Sequence, residues 1–302
     1  MDISITNVHL DLGAGRRGTD MGPSAIHVAG LIPQLTTLGH KVARITSIGS
    51  KSYEALPTGS PKARFLPYIH DVCQRLHDDV FTSLQQKMFP LVLGGDHSQA
   101  IGTISGIAKH YRSDNQEIGV IWVDAHTDMN TPQSTVSGNI HGMPLASLFG
   151  YGPKELVALN GQLKRCLNPE KVALIGIRSV DLDEVPLVKE LGVRVYTMTE
   201  IDRRGAAVCF EEAIERVSDG TAGIHLSFDL DGVDPKEAPG VGTPVPGGLN
   251  LRESHLLCEL ICMTKKLIGM EVVELNPTLD IENQTGKLAV WLIQSAMGKR
   301  IM

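Results

Sequence analysis

Short apolar, β-branched runs recur along the chain at about 3–8, 42–47, 90–94, 118–123, 171–176, 193–197, 223–229 and 268–274. Runs such as Ile118-Gly119-Val120-Ile121-Trp122-Val123 and Ile224-His225-Leu226-Ser227-Phe228 are apolar almost throughout, as strands covered on both faces require. Between them, apolar residues repeat with helical spacing, predicting helices over 23–39, 62–88, 98–112, 183–191, 205–218, 251–265 and 284–297. Pro23 opens one of these, Ser98 follows a Gly-Gly turn into another, and Glu253 lies in the first turn of a third. Strand and helix alternate from end to end, the pattern of a doubly wound α/β fold around a central, mostly parallel sheet of about eight strands. No low-complexity linker and no repeat interrupts that order, so residues 1–302 read as a single domain.

The irregular stretches fall after strands, at 9–22, 126–142, 177–182 and 230–248. A parallel sheet collects such loops at the carboxyl ends of its strands, where α/β proteins assemble their sites. Two of the loops open with potential metal ligands at alternating positions, Asp124-Ala125-His126-Thr127-Asp128 and Asp229-Leu230-Asp231. A strand period of two puts Asp124, His126 and Asp128 on one side, and Asp229 and Asp231 on one side. His97, in Gly94-Gly95-Asp96-His97, follows glycines that permit a sharp turn and makes a sixth candidate.

Two histidines and four aspartates, with no sulfur, favour a hard or borderline divalent ion over copper(I) or structural zinc. Six ligands exceed the needs of one catalytic ion that keeps open positions. Two ions bridged by shared carboxylates would use them all and could hold a hydroxide between them. Singly, each residue has an ordinary reading: a histidine after a strand is usually hydrogen-bonded, and an aspartate there usually caps a turn. Jointly they do not, because converging carboxylates repel one another without a cation. His225 reads as a supporting or core residue, and Asp96 and Asp234 as loop organisers.

Composition narrows the partners by exclusion. A net charge of −6, with no basic block longer than Arg16-Arg17 or Lys265-Lys266, gives no footing to nucleic acid or an anionic membrane and points to a small molecule. Five scattered cysteines without a C-x-x-C pair read as reduced thiols. Ile3-Ser4-Ile5-Thr6-Asn7-Val8 already reads as a strand rather than a signal sequence, and no apolar run reaches membrane-spanning length. The expectation is a soluble, cytoplasmic protein.

Together, Gly94-Gly95-Asp96-His97-Ser98, Asp124-Ala125-His126-Thr127-Asp128 and Ser227-Phe228-Asp229-Leu230-Asp231-Gly232 resemble the three metal motifs of the ureohydrolases. Within that family the chain is similar to the arginases, from Gly22-Pro23-Ser24-Ala25 to Glu274-Leu275-Asn276-Pro277. The resemblance implies a three-layer α/β/α fold, two Mn2+ per chain (Co2+ or Ni2+ being possible substitutes), and a homo-oligomer, trimeric or hexameric. It assigns His97, Asp124, Asp128 and Asp229 to one ion, and Asp124, His126, Asp229 and Asp231 to the other. His141 falls on the family's proton shuttle and Glu274 on its guanidinium-contacting acid, while Asp128 also orients the nucleophile. Asn130, Thr135, Ser137, Asp181 and Glu184 fall on its substrate-end contacts.

The implied reaction is hydrolysis of a guanidino substrate, L-arginine going to L-ornithine and urea. An amino-acid substrate needs donors for its α-carboxylate, which Asn130, Thr135 and Ser137 offer, and an acid for its α-ammonium. Asp181, Asp183 and Glu184 all compete for that second role. Agmatine has no carboxylate, so this donor cluster disfavours an agmatinase or guanidinobutyrase. Intact Asp128, His141 and Glu274 disfavour a metal-binding scaffold without catalysis.

Overall fold

Strands form at all eight of the apolar runs: β1 (Asp2–His9), β2 (Lys41–Gly49), β3 (Phe89–Leu93), β4 (Gly119–Val123), β5 (Val172–Ile177), β6 (Arg194–Thr197), β7 (Ile224–Asp229) and β8 (Leu267–Val273). The computed structural model describes residues 1–50, 56–159 and 165–300. The sheet is parallel throughout, in the order β2-β1-β3-β8-β7-β4-β5-β6. Exposure follows position: β3, β4, β5 and β7 are buried along their whole length, whereas the edge strand β2 alternates between exposed and half-buried residues over most of its length.

Successive residues of the inner strands point to opposite faces and build two cores. Ile121 and Val123 join Ile5, Leu91, Leu226 and Phe228 beneath helices that include α1 (Gly22–Val28), α2 (Leu31–Thr37), α6 (Ala206–Ser218), α7 (Leu251–Thr264) and α8 (Gln284–Ala296). Val120 and Trp122 join Val92, Val172 and Leu174 on the other face, under α3 (Leu66–Gln85), α4 (Ala100–Arg112) and α5 (Pro144–Leu148). In α3, Ile69, Val72, Cys73, Leu76 and Val80 form the apolar stripe that seats the helix. The result is the expected three-layer α/β/α arrangement.

The helices depart locally from expectation. Segment 23–39 splits into α1 and α2, with Ala29 and Gly30 between them. Residues 62–65 do not open a helix; Ala63–Arg64 pairs with Gly59–Ser60 in a small antiparallel hairpin, and α3 starts only at Leu66. Met198–Arg204 forms a helix immediately after β6, capped by the Thr197 side chain on the Glu200 amide. Its pattern is too short to stand apart from its neighbours in sequence.

Register positions the site. Leu93, Val272, Phe228 and Val123 are aligned across β3, β8, β7 and β4, four adjacent strands in the middle of the sheet. The loops beginning at Gly94, Glu274, Leu230 and Asp124 therefore leave the sheet side by side. The first of these turns is held close to the chain after β1: the Asp96 amide donates to Leu10 O at 2.8 Å, and the Glu274 amide to Gly95 O at 2.9 Å. A Cβ on Gly95 would overlap the Leu10 carbonyl. Gly95→Ala should therefore destabilise the protein by about 2–3 kcal/mol, the cost of an overpacked backbone contact. Urea denaturation checks this; an unchanged midpoint would show that the approach is looser than described.

Candidate metal centre

Strand alternation is not what gathers the ligand candidates. β4 ends at Val123, leaving Asp124, His126 and Asp128 in the turn beyond it, and Asp231 lies in the single 3-10 turn Leu230–Gly232 after Asp229. The carboxylates fold their own turns instead. Asp124 Oδ1 accepts the His126 amide at 2.7 Å, and Asp229 Oδ1 accepts the Asp231 amide at 2.8 Å. Asp231 Oδ1 accepts the Ala125 amide at 3.1 Å and ties the two turns together. Asp96 accepts the Ser98 and Gly13 amides at 3.0 and 2.8 Å, organising its loop as expected and directing His97 inward. Asp128 sits at φ 53°, in the left-handed region, with its carbonyl receiving the Leu145 and Ala146 amides at the start of α5.

Among the described residues, two ligand-type groups meet: His97 with Asp124 and Asp229, and His126 with Asp124 and Asp231. His97 Nδ1 lies 3.2 Å from Asp124 Oδ2, 3.2 Å from Asp128 Oδ2 and 3.1 Å from Asp229 Oδ2. His126 Nδ1 lies 3.3 Å from Asp124 Oδ1 and 3.2 Å from Asp231 Oδ2. Asp124 thus turns one oxygen to each histidine. These separations suit neighbouring ligands of one ion, which stand roughly 3 Å apart when each bond is about 2.1 Å.

Behind His97 is a polar row running across the sheet. His97 Nε2 is 2.9 Å from Ser227 Oγ, and Ser227 Oγ donates to Glu271 Oε1 at 2.9 Å. With the serine proton committed to Glu271, His97 must donate from Nε2, which leaves the Nδ1 lone pair of the neutral ring facing three carboxylates. That Nδ1 is buried and makes no hydrogen bond of acceptable geometry. A lone pair among carboxylate oxygens is tolerable only with a cation between them, so the donor set fits a divalent metal ion. Trp122 completes the backing: its ring stacks on His97 at 4.0 Å and its Nε1 donates to Asp124 Oδ2 at 2.9 Å. His225 reaches the same Glu271 oxygen at 3.3 Å, in the supporting place expected for it.

Without an ion between them, the same groups draw in protons instead. Burial pushes Asp128 up to about 7, with the charge of Asp124 adding to the effect. Burial and neighbouring carboxylates likewise raise Asp229 and Asp231. Burial opposes the charge on His97, yet its three aspartates hold it well above the ordinary range, and Asp124 and Asp231 push His126 up to about 12. The site carries more negative charge than its own histidines neutralise comfortably.

A cavity of about 130 Å³ opens over this centre, with His126, Asp128, Asp229 and Asp231 on its floor. Asn130, Thr135, Ser137, His141, Asp181 and Glu184 line its walls; Asp183 does not. The Thr135 and Ser137 hydroxyls accept the Gly138 and Asn139 amides, so their protons stay free to donate. Asn130 Nδ2 donates to Asp181 Oδ2 at 2.9 Å. Glu184 is buried and accepts the Met129 and Asp181 amides at 2.9 and 3.0 Å, bracing the two loops against each other.

Glu274 is buried at φ 64°. Its Oε1 accepts the His97 amide at 2.9 Å and lies 3.1 Å from His141 Nδ1, while Oε2 is buried without a partner. Both residues line a second cavity of about 520 Å³ that shares His126, Asn139, His141 and Thr243 with the first.

Sequence reading missed several contributors. Thr243 donates to Asp231 Oδ2 at 2.8 Å, and Arg178 joins the Asp231 and Val245 carbonyls at 2.7 and 2.6 Å. Trp122, Ser227, Glu271 and Asn139 were also passed over. Ser227 and Glu271 left a signal, being polar residues inside otherwise apolar strands.

A carboxylate and histidine cluster at the carboxyl edge of a parallel sheet, flanked by an acid and histidine pair, defines a metal-dependent hydrolytic site. The arginase family model matches residues 1–298. The arginase of Bacillus subtilis (strain 168) is 47% identical over 99% of each chain. The solved arginase of Bacillus caldovelox superposes with a TM-score of 0.93 at 46% identity, covering 99% of both chains. An Entamoeba histolytica arginase solved in complex with L-ornithine is 32% identical, with a TM-score of 0.88 over 99% of this chain and 98% of that one. The chain belongs to the arginase family, hydrolases for which a divalent metal cofactor is implied.

His141 and Glu274 give a test independent of metal. Burial would lower His141, but the Glu274 carboxylate pushes it up to about 9, and His141 in turn holds Glu274 below its ordinary range against burial. The raised histidine contributes stability that is complete below about pH 6.5 and lost as pH rises through about 9. The lowered acid contributes above about pH 4.3 and loses that contribution as pH falls further. In metal-free protein followed by histidine NMR, Glu274→Gln should bring His141 to about 6.5 or below; an unmoved midpoint would reject the pairing.

Proposed function

We propose that this chain hydrolyses L-arginine to L-ornithine and urea, as one catalytic domain spanning 1–302 and holding two manganese ions. The observation that carries the reading is a cavity in which Asp229 of one ligand group and His126 and Asp231 of the other face the donors of 130–137 and the carboxylate of Asp181. Such a cavity suits a substrate that is cationic at one end and zwitterionic at the other. The arginase relatives, one of them solved with L-ornithine, support the same choice.

In this reading His97, Asp124, Asp128 and Asp229 hold one ion, and Asp124, His126, Asp229 and Asp231 the other. Bound ions of this kind lower the pKa of water enough to supply a nucleophile at neutral pH, and cobalt or nickel would serve in place of manganese. The guanidinium stays protonated, so it needs a carboxylate partner, and the unpaired Oε2 of Glu274 provides one. That pairing fixes the guanidinium carbon, and Asp128 orients the attacking oxygen. When the carbon–nitrogen bond breaks, the departing amine takes a proton from His141, which Glu274 keeps protonated near neutral pH. At the far end, Asn130, Thr135 and Ser137 donate to the α-carboxylate and Asp181 accepts from the α-ammonium. Glu184 acts there by bracing Asp181.

The setting is read as the cytoplasm, in keeping with cysteines that are all free. No helix among the described residues is long and apolar enough to cross a membrane. The assembly is read as a homo-oligomer, a trimer or hexamer.

Two experiments decide this reading. Chelation should abolish urea release from arginine and added manganese should restore it, while agmatine stays a poor substrate; urea from agmatine at a comparable kcat/KM would replace this assignment with an agmatinase. His141→Asn should lower kcat at least tenfold with little change in KM, and exogenous imidazole should recover part of the rate, since the loss lies in the transition state. Steady-state kinetics that leave kcat intact would remove His141 from proton transfer.

A further inference from the structure

The hairpin of Gly59–Ser60 and Ala63–Arg64 lies far in sequence from every motif above, yet it grips the wall of the cavity. The Arg64 amide donates to Gly138 O at 2.9 Å, and Lys62 Nζ donates to Thr135 O at 2.7 Å. Arg64 Nη1 donates to Asn139 Oδ1 at 3.3 Å. Gly138 is at φ 71°, and a Cβ there would overlap the Pro61 carbonyl. Thr135 and Asn139 line the cavity, whereas Lys62 and Arg64 do not touch it.

We propose that this hairpin is a specificity clamp, in which Lys62 and Arg64 are positioning residues that set the 135–139 wall to receive a substrate carboxylate. The proposal rests on the reading that this wall holds the α-carboxylate. Two physical effects combine in it. The hairpin fixes the backbone on which the Thr135, Ser137 and Asn139 donors sit, so that no ordering cost falls on substrate binding. Its two cations also stand behind that wall, where they attract the carboxylate of an entering substrate. A guanidino substrate without a carboxylate gains from neither effect, so the clamp discriminates between substrates.

The test uses the full-length, manganese-loaded enzyme with arginine and agmatine as probes. Lys62→Met combined with Arg64→Met should raise KM for arginine about tenfold and leave kcat within about twofold, the signature of lost ground-state binding. The agmatine kcat/KM should move less than about twofold, so the arginine-to-agmatine ratio falls about tenfold. Lys62→Arg should retain the ratio, because it keeps the charge and a donor. Gly138→Ala separates hairpin from wall without removing a cation and should lower the ratio as well; with Lys62→Met alone it carries the test if the double variant does not fold.

A ratio unchanged in these variants, or an equal loss of kcat on both substrates, would overturn the clamp. A wild-type enzyme that releases no urea from arginine would instead overturn the proposed function, and the clamp with it. A wild type selective for arginine with indifferent variants would overturn the clamp alone.

Discussion

Four aspartates converge at the ends of two central strands, and their mutual repulsion in a buried place is the constraint that shapes everything around them. Charges drawn out of water must be paired or neutralised, and here Asp124, Asp229 and Asp231 each divide their carboxylate between two tasks. One oxygen of Asp229 and one of Asp231 is spent on a backbone amide of the turns, while the other faces a histidine. Asp124 serves both groups, with Oδ2 braced by Trp122 and Oδ1 by the His126 amide. Nearby, Ser227 and Glu271 fix which nitrogen of His97 faces the cluster, and Arg178 gathers the carbonyls of the Asp231 loop. The protein thereby holds its candidate ligands in a cradle built from its own hydrogen bonds.

Glu274 links that cradle to His141. It holds a left-handed backbone conformation that a residue with a side chain adopts only when its surroundings impose it, and here the Gly95 carbonyl and the His97 amide do so. The same carboxylate oxygen meets His141, so the group read as gripping the substrate also sets the protonation of the group read as donating to the leaving amine. In the proposed function, substrate engagement and proton delivery are coupled through this one side chain.

Much of this was legible in the sequence, and the exceptions have physical causes. All eight strands could be read because a strand buried on both faces leaves an apolar run that few other structures need. The ligand candidates were legible too, although for a reason that needed correction: Asp124, His126 and Asp128 converge through turn hydrogen bonds and not through strand alternation, since β4 stops at Val123. Residues acting from a distance were not legible. Nothing local to Lys62, Arg64, Arg178 or Thr243 marks them, because their roles arise from loops that meet only in three dimensions. Short helices such as Met198–Arg204 were missed for a related reason, as seven residues hold too few turns to establish a period.

The central proposal, that buried aspartates shared between the two ligand groups join two ion sites, is tested most directly by counting metal. Elemental analysis after exhaustive dialysis of manganese-loaded protein should give two equivalents per chain for the wild type and one for Asp231→Ala, which spares the His97 group. Asp124→Ala, which removes a ligand from both groups, should retain essentially none while keeping a folded circular dichroism spectrum. A wild type that holds a single equivalent, or a folded Asp124→Ala protein that still holds two, would contradict it.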